Sequence, residues 1–328
     1  MTLIVVTGGC GFIGHHFVEH VHRKTDWNIV VIDKLTYASK GLERLRSAAL
    51  LSSPRVRVFT FDLAGELSPG LREEIGAPDY IVHMAADTHV DNSIRDPVPF
   101  VRNNVMSTLH MLEWARELPD LKRFFYFSTD EVYGSAPGRT AFREHDRHAP
   151  TNPYSASKSA AEQLCTAYEN TYKIPVIVMN VMNAFGERQH VEKFIPKVIK
   201  RVLADEIVEI HADPSCENPG SRFYIHARNI ASAVMFLIEH GTVGDKYNVV
   251  GEREMNNLEM ATFIAEVLGK ELRYTLVNFH EDRPGHDLRY CLDGSKLIEA
   301  GWNLPLSFEE SLRHTIEWTI AHKEWLEE

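Results

Sequence analysis

Short apolar runs punctuate the chain: Leu3 to Val6, Asn28 to Ile32, Val56 to Phe61, Asp79 to Met84, Arg123 to Phe127 and Pro175 to Asn180. Runs of this length predict strands buried on both faces of a parallel sheet. Helical patterns separate them, with Phe17, Val18 and Val21 on one face of the first and a long stretch from Pro97 to about Leu118. Strand and helix in alternation predict an α/β fold with a doubly wound parallel sheet. Beyond Asn180 the alternation becomes irregular. Helices are expected over 193–202, 228–239 and 258–268, strands over 207–210, 222–226 and 247–250, and a last amphipathic helix from about Phe308. Residues 1–180 therefore read as one large domain, to which 222–250 returns, and 181–328 as a smaller lobe. Asn183 to Gln189 reads as a polar turn, and Ser135 to Asn152 as a polar loop at the lip of a site.

The ends of the strands carry the chemistry, because ligands in open α/β sheets bind outside the carboxyl ends of strands. The first strand runs into Thr7-Gly8-Gly9-Cys10-Gly11-Phe12-Ile13-Gly14 and then a helix. Gly8 and Gly11 permit a tight turn and close approach of a pyrophosphate. Gly14 lets the helix pack near the strand, and the helix N-terminus offers amides and a positive dipole end. The second strand ends at Asp33, placed to accept from an adenosine ribose 2′-hydroxyl. A carboxylate there repels a 2′-phosphate, which favours NAD, although Lys34 weakens the discrimination. Asp62-Leu63 ends the third strand as an adenine contact. Ala85-Ala86 ends the fourth, small enough for a cofactor to lie against the backbone. Thr88 to Asp91 follows as a loop.

The fifth strand delivers Ser128-Thr129-Asp130-Glu131-Val132-Tyr133-Gly134, with two adjacent carboxylates where the strand should end. Such a pair suits acid and base work when burial separates the two pKa values. A capped turn with solvated acids explains the stretch as well. Pro153 to Glu162 then reads as a helix with Tyr154 and Lys158 four apart on one face. A nearby ammonium favours phenolate, so Lys158 is expected to lower the Tyr154 pKa. A surface helix is the plain alternative.

Composition narrows the possibilities. At 328 residues the chain exceeds one ordinary core, and 44% hydrophobic with 25% charged residues is ordinary for a soluble globular protein. A net charge of −11 argues against nucleic acid as a partner. No apolar stretch is long enough to span a bilayer. Cys10, Cys165, Cys216 and Cys291 lie far apart and read as reduced thiols of a cytoplasmic protein. His16 and His20 have the spacing of a metal pair without further ligands, so they read as a solvated helix face, and no metal is expected.

Together these motifs resemble the extended short-chain dehydrogenase/reductase superfamily, whose fold is of the Rossmann type. The match covers nearly the whole chain. Asp33 to Ala38, His89-Val90-Asp91, Ser128 to Gly134, Pro153 to Lys158 and Arg283 to Tyr290 are similar to the dTDP-glucose 4,6-dehydratase family. That resemblance implies a tightly held NAD, C4 oxidation of a nucleotide-linked glucose, loss of water across C5 and C6, and hydride return to C6. It implies Tyr154 as base at the 4-hydroxyl, with Lys158 holding the phenolate and the nicotinamide ribose. Thr129 orients the 4-oxygen, Glu131 takes the C5 proton and Asp130 protonates the departing 6-hydroxyl. It further assigns Phe12, Ile13, Thr36 and Asn104 to the cofactor, and His89, Asn183, Arg222, Asn256, Arg283 and His286 to the substrate. A homodimer through the helices of Asn104 and Tyr154 is also implied. Departures at Ala184-Phe185, Glu187-Arg188 and the loop from Ala212 to Ser221 leave dTDP-glucose and UDP-glucose both open. A 4-epimerase or decarboxylase of the same fold and a non-catalytic NAD-binding regulator are the competing readings.

Overall fold

A computed structural model describes residues 1–278 and 288–327. In chain order the first half runs β1 (Leu3–Thr7), α1 (Phe12–Lys24), β2 (Asn28–Asp33), α2 (Glu43–Ser47), β3 (Val56–Thr60), α3 (Pro69–Ile75), β4 (Tyr80–His83), α4 (Val90–Arg95), α5 (Pro97–Arg116) and β5 (Arg123–Thr129). It continues with α6 (Pro153–Tyr172), β6 (Val176–Val181), β7 (Asn183–Phe185), α7 (Phe194–Leu203), β8 (Val208–Ala212), β9 (Ser221–His226), α8 (Ala227–His240) and β10 (Lys246–Val249). The remaining described residues form β11 (Glu254–Asn256), α9 (Asn257–Leu268), β12 (Tyr274–Asn278), the α-helices Ser295–Glu299 and Phe308–Ala321, and a 3-10 turn at Lys323–Leu326.

The apolar runs form a seven-stranded sheet in the order β10-β6-β5-β4-β1-β2-β3. All of its pairs are parallel. Ile4, Val5, Val6 and Ile29 to Ile32 are wholly buried because helices cover both faces. Phe17, Val18, Ile230 and Val234 from α1 and α8 pack against one face. Met111, Leu112, Ala161 and Cys165 from α5 and α6 pack against the other. Strand order reverses between β1 and β4, so the crevice at their carboxyl ends is where this topology places a ligand. A third core, including Ile195, Ile199, Met260, Ile264 and Leu312, belongs to the second lobe.

Several elements differ from the sequence reading. Residues 183–189 do not form only a turn: β7 pairs in parallel with β9, Asn183 opposite Tyr224. The segment 222–250 splits, since β9 joins the small β11-β9-β7 sheet while β10 lies beside β6. β11 and β12 are too short and mixed to stand out in the sequence. α4 begins inside the expected loop, at Val90, with the His89 ring accepting from the Asn92 amide at 3.3 Å. His16 is not on a solvated face. α8 packs across α1, and His16 is buried against His15, ring centres 4.1 Å apart. Its Nε2 lies 3.1 Å from the Glu187 carbonyl. Among the described residues no cluster of three or more His, Cys, Asp or Glu side chains is arranged to hold a metal ion.

Candidate active site

A cavity of about 530 Å³ runs from the glycine turn after β1, past the ends of β4 and β5, to the second lobe. At its first end the wall is main chain. Gly8 has φ +70°, and a Cβ there would stand 2.9 Å from the Cα of Ala85. A Cβ on Gly14 would stand 2.2 Å from the Gly8 carbonyl oxygen. Gly11 begins α1 without a side-chain cap, and no acid occupies the first turn, so its amides face no competing carboxylate. Asp33 accepts from the amides of Cys10 at 3.0 Å and Leu35 at 2.8 Å. Burial raises its pKa, and those two bonds oppose the rise. Uncapped amides, glycine surfaces and a fixed carboxylate fit a dinucleotide. Phe12, Ile13, Lys34, Thr36, Asp62, Leu63, Ala85 and Ala86 line the same stretch. Lys34 also pairs with Asp87 at 3.3 Å.

Asn104 is not part of this lining. It is buried behind the wall, its Oδ1 accepting from the Asp87 amide at 2.8 Å and its Nδ2 donating to Asp87 O and to Ser157 Oγ at 3.0 and 2.9 Å. Its amide is used in pinning the loop after β4 to α6.

The end of β5 holds the two acids. The chain leaves the sheet in one 3-10 turn, Asp130–Tyr133, with Thr129 Oγ1 accepting from the Glu131 amide at 3.3 Å and donating to Asp130 Oδ1 at 2.9 Å. Burial pushes the Asp130 pKa up to about 6, against the Thr129 bond and the Arg222 charge. Glu131 Oε2 accepts from Asn152 Nδ2 at 3.1 Å and from the Tyr290 hydroxyl at 3.4 Å. Tyr154 and Lys158 come to the same cavity from α6, whose start is fixed by a capping box between Asn152 and Ser155 and by Pro153.

The Tyr154 pKa is raised in this geometry, not lowered as its spacing from Lys158 predicts. The Lys158 Nζ donates to the Phe127 carbonyl and lies 4.4 Å from the centre of the Tyr126 ring. Burial raises the Tyr154 phenol, the charges of Glu131 and Asp130 raise it further, and a hydrogen bond with Thr129 opposes them. Burial drives Lys158 itself down to about 8. Behind both lies Glu162, which accepts from Ser128 Oγ at 2.6 Å and Asn180 Nδ2 at 3.1 Å and pairs with Lys246 at 2.5 Å. Burial works to raise its pKa, but His148 and Lys246 hold it down to about 2. α6, β5, β6 and β10 are thus tied together directly beneath the acids.

The second lobe closes the far end, together with His89 at the start of α4. His89, Asn183 and Arg222 line the cavity, with Asn183 Nδ2 3.5 Å from Asp130 Oδ2. The Arg222 guanidinium donates to the carbonyls of Ser221 and Leu288, each at 2.6 Å, and lies 4.6 Å from the Tyr290 ring centre. Asn256 does not line the cavity: it caps α9 through a capping box with Glu259. Its neighbour Asn257 does, together with Lys193, Lys197 and His211. Arg283 and His286 lie outside the described residues. The sequence reading gave no role to Asn152, Lys193, Lys197, His211, Asn257 or Tyr290. Asn152 had a local signal, an Asn before Pro153 at a helix start, and Tyr290 closes the motif from Arg283. The others are brought in only by the tertiary fold.

A sequence model of the GDP-mannose 4,6 dehydratase family matches residues 5–315. The chain belongs to that family. This dehydratase is 38% identical to a dTDP-glucose 4,6-dehydratase of Neisseria gonorrhoeae, over 98% of this chain and 96% of that one. It is 36% identical to a trifunctional UDP-glucose 4,6-dehydratase/3,5-epimerase/reductase of Arabidopsis thaliana, over 98% of this chain and 48% of that protein. Among solved structures, the dTDP-glucose 4,6-dehydratase DesIV of Streptomyces venezuelae, with NAD and TYD bound, superposes with a TM-score of 0.87. It shares 31% identity over 99% of each chain.

Proposed function

We propose that Thr129, Asp130, Glu131, Tyr154 and Lys158 carry out 4,6-dehydration of a glucose borne by a pyrimidine nucleoside diphosphate, dTDP or UDP. As a member of its family the chain is an NAD-dependent hydro-lyase that converts an NDP-glucose to the 4-keto-6-deoxy sugar without net redox change. Bound along the glycine turn, NAD supplies the hydride acceptor at C4 and the donor at C6. Gly8, Gly11, Gly14 and Asp33 would hold its pyrophosphate and adenosine ribose.

Tyr154 takes the proton of the sugar 4-hydroxyl. Its phenol starts high, so a positive charge brought close to it is needed to make it a base, and Lys158 is the side chain within reach along α6. The 4-keto group then acidifies C5–H. Glu131 removes that proton and Asp130 protonates the 6-oxygen as it departs as water. Glu131 returns a proton to C5 when C6 is reduced. The observation that carries this division is the unequal setting of the acids. Asp130 is buried, with its pKa pushed towards neutrality, whereas two donors meet the Glu131 carboxylate. Neither 4-epimerisation nor decarboxylation expels a 6-hydroxyl, so neither needs an acid placed to protonate it.

Asn183, Arg222, Lys193 and Lys197 are the candidates for the sugar diphosphate, and His211 and Asn257 for the nucleoside. A homodimer is proposed through α5 and α6, which pack side by side. Val98 and Val101 on α5 are 70% and 48% exposed, an apolar surface that a second copy would cover. Cytoplasmic residence fits four free cysteines and, among the described residues, the lack of any helix long and apolar enough to cross a membrane.

Paired incubation with dTDP-glucose and UDP-glucose tests the reading. The expected result is a product lighter by one water, with solvent deuterium at C5, and the ratio of kcat/KM names the nucleotide. Formation of the galacto epimer alone, at full mass, would overturn it.

A further inference from the structure

We infer that Asn152 and Tyr290 are positioning residues for Glu131, holding one oxygen of its carboxylate so that the group is oriented and kept ionised for the C5 proton. The inference rests on Glu131 being the base. Both donors fall on the same atom, Oε2, at 3.1 Å from Asn152 Nδ2 and 3.4 Å from the Tyr290 hydroxyl. Two donors on one oxygen restrict rotation about the last side-chain bond, and donors to a carboxylate favour its charged form.

Each donor is itself fixed. Asn152 Oδ1 accepts from the Ser155 amide at 2.9 Å and so caps α6, while Nδ2 serves Glu131. One amide therefore sets the start of the helix that carries Tyr154 and the orientation of the proposed base. Tyr290 comes from 159 residues further along the chain. Its ring is buried among Val132, Tyr133, Met182 and Leu292, with the Arg222 guanidinium packed against it. The preceding residue is clamped: Arg289 makes two bonds to Glu254, at 2.6 and 2.9 Å, and its carbonyl accepts from the Ala136 amide at 3.0 Å. The C-terminal segment thus delivers a hydroxyl, on a rigid support, to an acid of the large sheet. Among the described residues, the titratable groups that face Glu131 include Asp130 on its own turn, Tyr154 from α6 and the Tyr290 hydroxyl, with the Arg222 charge acting on Asp130 and packed on the Tyr290 ring.

The experiment measures C5 exchange with solvent deuterium and turnover as functions of pH. It compares the full-length protein with Tyr290→Phe, Asn152→Asp and Glu131→Gln. Phe keeps the buried ring, and Asp keeps the helix cap. Tyr290→Phe should move the acidic limb of C5 exchange up by about one pH unit, with KM within about 2-fold and exchange recovering at high pH. Asn152→Asp should move the limb further, because a donor becomes a second carboxylate. Damage to the fold alone would lower exchange by one factor at every pH. An unmoved limb, or a uniform loss across pH, would overturn the inference. Should Asn152→Asp fail to fold, Tyr290→Phe alone decides. Glu131→Gln separates the two levels: if it retains C5 exchange, the base assignment itself fails. If it abolishes exchange while the other two leave the limb in place, only the positioning inference fails.

Discussion

At the glycine turn the cavity wall is main chain, and at the end of β5 it is side chains. The first wall comes from one short stretch of chain, Gly8 and Gly11 to Gly14. The second assembles Asp130 and Glu131 with Tyr154, Asn183 and Arg222, drawn from the turn after β5, α6, β7 and β9, and Asn152 and Tyr290 support it through their bonds to Glu131. The two walls should therefore fail differently. A main-chain wall has no room for an added atom. A side-chain wall tolerates isosteric changes in shape and loses its chemistry instead.

Asp130→Asn is the strongest test of the side-chain wall. Removing a positioned acid costs about 100- to 10,000-fold in rate, and the 4-keto product should fall by that order while C5 exchange survives. Stability should move the other way. Burial raises Asp130 from 3.8 to about 6, so the folded state holds its proton more tightly than the unfolded chain. Folding then carries no penalty below about pH 3.8, an increasing one as the pH rises towards 6, and the full penalty above that. Two pH units correspond to about 3 kcal/mol as an upper bound. At pH 7 the asparagine variant should melt several degrees higher than the parent, and the difference should vanish towards pH 4. A lower melting temperature at pH 7 would mean that the ionised aspartate is better paired than its burial indicates.

Gly14→Ala tests the main-chain wall. The new Cβ would meet the Gly8 carbonyl oxygen at 2.2 Å and the Gly9 Cα at 2.7 Å, both backbone. Overpacking of this kind costs about 1–3 kcal/mol. If all of it falls on the cofactor, that is ~5- to 150-fold in affinity. The purified variant should carry less NAD, and added NAD should restore turnover with the C5 exchange profile unchanged. Undiminished NAD content would show that the turn can yield and that the comparison between the walls is too sharp.

The same contrast explains what the sequence made legible. The glycine turn, Asp33 and the run of strands could be read because local spacing and local hydrophobicity specify them. Thr129-Asp130-Glu131 and Tyr154/Lys158 could be read because each set lies on one element. Tyr290 could not be tied to Glu131, because nothing in the spacing of residues 159 apart announces a hydrogen bond. His16 was misread for the same reason: α8, which buries it, follows more than two hundred residues later. Asn104 shows the opposite case. The resemblance assigns it to the cofactor, yet the three hydrogen bonds of its side-chain amide are all internal. The expected influence of Lys158 on Tyr154 follows from helical spacing alone, whereas the ammonium is drawn to the Phe127 carbonyl and the Tyr126 ring.

The smallest effect is expected where the cavity ends and ordinary helix chemistry begins. Asn256 and Asn257 are adjacent, but only Asn257 lines the cavity. Asn256 Oδ1 accepts from the Glu259 amide at 2.8 Å, and Glu259 Oε2 accepts from the Asn256 amide at 3.1 Å. Replacing such a cap by alanine costs about 1 kcal/mol, which in a protein of this size lowers the melting temperature by a few degrees at most. Asn256→Ala should therefore lose that much stability and keep KM for the nucleotide sugar within about 2-fold. Asn256→Asp, which keeps a capping oxygen, should recover most of the stability. Asn257→Ala is the counterpart. It removes the acceptor for the Tyr224 hydroxyl, 3.0 Å away, in the wall itself, and should raise KM more than it lowers the melting temperature. If instead Asn256→Ala raised KM several-fold with stability intact, the cap would be serving the ligand, and the boundary between wall and scaffold would have to be drawn one residue earlier.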